Sequence, residues 1–132
     1  MGDTATRHQS RERALSLLYE AQMKGERPAD IVAVLPVTPD PFAAELVEKA
    51  EASRPRADAL IDEFSEGWPL DRLAVVDRLV LELAVAELLD PKGPPVAVVI
   101  DEAVELAKTY STEESGGFVN GVLSSIASRL RP

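Results

Sequence analysis

Residues 73–89 read LAVVDRLVLELAVAELL, and only Asp77, Arg78, Glu82 and Glu87 interrupt an apolar run. Its β-branched residues would suit a strand, but strands usually span only about five or six residues. The length and the many Ala and Leu residues favour a helix. A helix that is apolar on nearly every side belongs at the centre of a bundle, enclosed by other helices. Arg78 and Glu82 have the i,i+4 spacing of a surface ion pair. Asp77 lies on a mostly apolar face, where a carboxylate either pairs inside the domain or meets a partner's basic or hydroxyl group.

Outward from this helix, the chain alternates breakers with helical recurrences. DPKGPP (90–95) stops it, and Ile100, Ala103, Val104 and Ala107 then mark the apolar face of another helix. Asp101, Glu102 and Glu105 fall on its solvated side, without the turn glycine of a hard-metal loop. Val119, Val122, Leu123, Ile126 and Leu130 define a last helix. Toward the N-terminus, Pro69 suits a helix start. Leu60, Ile61 and Phe64 continue a stripe begun by Phe42, Leu46, Val47 and Ala50, with Pro55 imposing a kink or restart. LPVTPDP (35–41) forbids a long regular element, and a short helix is expected at about 29–35. Ala14, Leu15, Leu17, Leu18 and Ala21 recur within a helix from Arg7 to about Lys24, stopped by Gly25. Residues 1–6 read as a flexible tail. The expected fold is all-α, a compact bundle of six to seven helices forming one domain over residues 1–132.

Composition narrows the function. The 132 residues are 45% hydrophobic but only 5% aromatic, so the core is aliphatic. There is no cysteine, which removes disulfides and thiol chemistry and fits a cytoplasmic setting. No apolar run is long enough to cross a bilayer. A net charge of −9 argues against sequence-independent nucleic-acid binding, yet residues 1–19 carry three arginines against two acids, a local +1.

Four features remain. The stretch 111–123, STEESGGFVNGVL, has a glycine pattern that matches neither a Walker loop nor a dinucleotide fingerprint. Ser111 and Glu114 have the spacing of a capping box, with Ser115 a second candidate for the cap. Either choice sets Gly116, Gly117 and Phe118 near the helix start, where free N–H groups favour an anion such as an RNA phosphate. Gly121, inside the helix, calls for a closely approaching helix or RNA strand. His8 is the only histidine and has no nucleophile to serve, so no catalytic residue, metal site or cofactor is assigned. Arg7 and Arg11 share a helix face, with His8 and Gln9 adjacent, and read either as an exposed helix start or as a phosphate grip. Tyr19 reads as a half-buried or contact residue.

Together RHQSRERALSLLYE (7–20), WPLDRLAVVDRLVLELAVAELL (68–89) and PPVAVVIDEAVELAKTYSTEESGGFVNGVL (94–123) resemble the signature blocks of the transcription antitermination factor NusB family. The resemblance implies an all-helical fold of two packed halves and no catalysis. It implies binding to the boxA element of ribosomal RNA transcripts with NusE, a ribosomal small-subunit protein, and assembly with other Nus factors on RNA polymerase. Residue by residue, it implies RNA contacts at Arg7, His8, Gln9, Arg11, Tyr19, Glu114, Phe118 and Asn120, and a NusE contact at Asp77. His8, Gln9 and Gly117 stand where relatives often carry a basic residue, so RNA binding by the protein alone is expected to be weak. A helical adaptor or homodimer without independent RNA binding is the alternative.

Overall fold

The computed structural model describes residues 5–132. These described residues form six α-helices: α1 (Arg7–Lys24), α2 (Pro28–Ala33), α3 (Pro41–Phe64), α4 (Val75–Leu89), α5 (Val96–Tyr110) and α6 (Glu113–Leu130). A 3-10 turn at Leu70–Arg72 precedes α4, and no strand occurs among the described residues. Helices α1–α3 pack as one half and α4–α6 as the other, joined mainly where α3 lies against α4. The apolar helix is central: every residue from Leu79 to Leu88 is buried.

The breakers act as helix starts and stops. Pro28 and Pro41 open α2 and α3 at positions where a missing N–H costs nothing. Asp40 caps α3, accepting from the Ala43 amide at 3.0 Å and from the Ser10 hydroxyl at 2.8 Å. Gly25 ends α1 with φ +64°, a left-handed conformation that side chains disfavour. One expectation is corrected, and one of the two alternatives at Pro55 is excluded. Thr6 is no tail residue: it caps α1 in a reciprocal box with Gln9, while residues 1–4 of the expected tail lie outside the described residues. Pro55 does not restart the chain, because α3 runs through it to Phe64. Packing along α3 outweighs the one backbone hydrogen bond lost to proline.

At the other end, Arg131 holds the C-terminus of α4. Its guanidinium donates to the carbonyls of Glu87, Leu88, Asp90 and Pro94 at 2.6–3.2 Å. A cation at the negative end of a helix satisfies carbonyls that have no partner within the helix.

Two of the four charged residues of α4, Glu82 and Glu87, are buried, and Asp77 and Arg78 are partly so. Glu82 is only 3% exposed and accepts from Arg78 at 3.1 Å, as the i,i+4 spacing predicts. Two α3 residues complete the cluster: Arg54 lies 3.3 Å from Glu82, and Asp58 accepts from Arg78 at 3.0 Å. Burial, reinforced by the Asp58 carboxyl and opposed by Arg54 and Arg78, pushes the Glu82 pKa up to about 7. A carboxyl with a raised folded-state pKa stabilises fully below its unfolded pKa, and that contribution fades as pH rises through the folded value. The window here runs from the ordinary 4.5 to about 7. The protein is therefore expected to melt roughly 5 °C higher at pH 5 than at pH 8. Glu82→Gln should remove most of that difference, and an unchanged pH dependence in this variant would refute the assignment.

Candidate nucleic-acid interface

The sequence-derived site residues fall into three groups. On the α3 side of α1, Arg7 is exposed, with its guanidinium 4.0 Å from the centre of the Phe42 ring, a cation–π contact. Arg11, one turn later, is only 3% exposed. Its Nε and Nη2 donate to the two carboxylate oxygens of Glu87 at 2.9 and 2.8 Å, and its Nη1 lies 3.5 Å from Glu102. Burial works against the Arg11 charge, but Glu87 and Glu102 outweigh it and raise the pKa further above the ordinary value. This corrects the reading of Arg11 as a surface phosphate grip: its donors are already committed inside the fold. Glu102 is likewise no plain surface acid.

The second group lies on the α5 side of α1. His8 Nδ1 is 3.0 Å from Glu102, and Nε2 is 3.7 Å from Glu12. Gln9 spends its side-chain carbonyl on the Thr6 amide at 2.9 Å, which leaves only its amide NH2 for an external ligand. Tyr19, 43% exposed, lines a groove of about 430 Å³ with Leu15, Ser16, Val76 and Tyr110. The Tyr110 hydroxyl donates to Glu12 at 2.6 Å, and this hydrogen bond is the main reason its pKa is raised.

The third group surrounds the start of α6. Thr112, rather than Ser111 or Ser115, is the N-cap: its hydroxyl accepts from the Ser115 amide at 3.2 Å, while Ser115 Oγ accepts from the Thr112 amide at 3.3 Å. Ser115 Oγ in turn donates to Asp77 at 3.1 Å. Asp77, half-buried, thus ties α4 to α6, and its other oxygen is buried without a partner among the described residues. Glu113 and Glu114 occupy the first turn of α6. The expected phosphate at this helix end is therefore disfavoured, because the dipole already faces two carboxylates. Gly116 has a different reason: a Cβ there would sit 2.8 Å from the Lys108 stem that crosses it. Among the described residues nothing comes within 4 Å of a Cβ placed at Gly121, so of the close helix or RNA strand expected there the helix is absent.

Phe118 is half-buried and Asn120 exposed on the same helix. A hollow of about 330 Å³ joins Phe118 and Glu114 to Asp77, Arg72 and Trp68. Trp68 and Tyr110 were not singled out by the sequence, although each is a large aromatic beside a breaker or a helix end. The two hollows flank the start of α4, one lined by Val76 and the other by Asp77. Tyr19, Asp77, Glu114 and Phe118 are thereby brought to neighbouring surfaces, whereas Arg7 stands apart beside Phe42. Among the described residues no group of His, Asp and Glu is placed to hold a metal, and no helix is long and apolar enough to cross a membrane.

Among the described residues, then, the chain is a six-helix bundle that gathers aromatic and hydrogen-bonding side chains around the starts of α4 and α6. The chain belongs to the NusB family, whose model matches residues 8–128. It is 45% identical to the transcription antitermination protein NusB of Saccharopolyspora erythraea, over 92% of this chain and 86% of that one. NusB of T. maritima has a similar structure, with a TM-score of 0.87 at 35% identity, covering 98% of this chain and 96% of that one. A structure of the antitermination factors NusB and NusE in complex with double-stranded RNA aligns with a TM-score of 0.79 at 32% identity, covering 93% and 96%.

Proposed function

We propose that this protein is a transcription antitermination factor that binds boxA RNA of ribosomal RNA transcripts together with NusE, and so prevents premature termination by RNA polymerase. The family match over residues 8–128 carries this reading, and a relative solved with NusE and RNA supports both partners. One domain spanning the chain does this work in the cytoplasm, with other Nus factors joining on the polymerase. Its RNA contacts are Arg7, His8, Tyr19, Glu114, Phe118 and Asn120, with a lesser part for the Gln9 amide. Asp77 faces NusE. Arg11 supports this face from inside instead of touching RNA.

Electrostatics sets the order of events. The chain carries −9 overall, and His8 sits between two glutamates, so the protein alone neutralises few phosphates. Affinity and its salt dependence both follow the number of phosphates neutralised. NusE must then supply much of the basic surface. Titration of labelled boxA RNA at two salt concentrations tests this. The protein alone should bind weakly with a shallow salt slope, and adding NusE should tighten binding at least about tenfold and steepen the slope. Equal affinity for scrambled RNA, or no gain from NusE, would refute the proposal and favour an adaptor or homodimer without its own RNA site.

A further inference from the structure

Trp68 is the only tryptophan in the chain, and it is 58% exposed. Its neighbours Phe64, Leu70 and Leu73 pack against the core. The turn that carries it is pinned on both sides. The Trp68 amide donates to the Ser65 carbonyl at 3.2 Å, and the buried Ser65 hydroxyl donates to the Trp68 carbonyl at 2.7 Å. The Leu70 amide donates to Asp62 at 3.1 Å. Glu66 and Gly67 take the positive φ values, +32° and +80°, that reverse the chain just before the indole. An indole left in water by so fixed a turn forgoes the burial that would stabilise it.

The indole lines the same hollow as Phe118, whose other charged walls are Arg72, Asp77 and Glu114. One cation against two carboxylates disfavours a phosphate there. Two aromatic walls favour a flat, uncharged π-system, and an unstacked base satisfies both conditions. We propose that Trp68, with Phe118, forms an aromatic notch that takes a single unpaired base of the bound RNA, with the phosphate backbone running outside it. The proposal rests on the RNA-binding reading above and adds a residue and a contact to it. Every base has a π face, so the notch fixes the register of the strand more than its sequence.

Because Trp68 is the sole tryptophan, its fluorescence reports on this notch alone within the chain. The protein with NusE is titrated with boxA RNA, and the Trp68→Phe variant with NusE serves as the blank. RNA affinity is measured separately from the anisotropy of labelled RNA. Saturable quenching absent from the blank is expected. Trp68→Ala should lower RNA affinity by about tenfold to a hundredfold with an unchanged salt slope, since no phosphate contact is lost. Trp68→Phe should retain much of the affinity, which also guards against a folding defect in the alanine variant. RNA that binds both variants as tightly as wild type without quenching overturns the notch and leaves the antitermination reading intact. Quenching by NusE alone, with only NusE affinity reduced in Trp68→Ala, overturns it in favour of a protein contact. No RNA binding by the wild-type pair removes the antitermination reading and the notch with it.

Discussion

Arg11→Ala is expected to destabilise the protein by about 3–5 kcal/mol, the usual cost of leaving one member of a buried ion pair without its partner. Glu87 is 4% exposed and receives both of its charge-assisted hydrogen bonds from Arg11. No other cation reaches its carboxylate within hydrogen-bond distance among the described residues, since Arg131 donates only to its main-chain carbonyl. The stranded carboxylate is buried near the C-terminal end of α4, where Arg11 of α1 meets it, so the loss spreads to the contact between α1 and α4. Urea unfolding should show a lower midpoint with an unchanged slope.

The double replacement Arg11→Met with Glu87→Leu separates pair from charge. Removing both charges while keeping apolar volume is often neutral or stabilising, so this variant should recover most of the wild-type stability. RNA binding decides what Arg11 does at the surface. Once corrected for the folded fraction, the salt slope of boxA binding should be the same in Arg11→Ala and wild type. A stable Arg11→Ala protein with a flattened slope would mean that the pair opens in the complex and that Arg11 reaches a phosphate after all.

Arg11 also illustrates what a local reading of sequence misses. The helices were legible because their signals are local: an apolar period, a proline or glycine at each boundary, and an unbroken apolar run for α4. The partners of buried charges carry no such signal. Glu87 lies 76 positions from Arg11, and Glu102 lies 94 from His8. Spacing within one helix therefore suggested exposed arginines and a solvated acidic face. Only the Arg78–Glu82 pair, set by i,i+4 spacing, was readable, and even there Asp58 and Arg54 come from another helix. The cap of α6 failed for a different reason. Ser111, Thr112 and Ser115 all have capping hydroxyls, and hydrogen bonding to Asp77 on α4 adds a tertiary constraint that composition does not reveal. At the site, the family blocks led to Tyr19, Phe118 and Asp77, whereas Trp68 became noticeable only through its exposure.

Asp77→Lys is expected to separate partner binding from folding. Its carboxylate accepts one hydroxyl hydrogen bond, from Ser115, and lies close to the positive end of α6. Losing that bond and placing a cation there should cost about 1–2 kcal/mol, small enough to leave the bundle folded. If the same carboxylate faces a basic NusE surface, reversing its charge adds repulsion to the lost attraction, and NusE affinity should fall at least about a hundredfold. Calorimetric titration with NusE, alongside a thermal melt of each variant, measures both quantities. Asp77→Asn keeps an acceptor for Ser115 but drops the charge, so it should melt close to wild type and lose NusE affinity to a smaller extent. A folded Asp77→Lys protein that binds NusE normally would exclude Asp77 from the interface. If the lysine variant is unfolded while the asparagine variant is stable and binds normally, Asp77 serves only to anchor α6 to α4. The residue then owes its place on α4 to the Ser115 hydroxyl, and the basic partner must meet the bundle elsewhere.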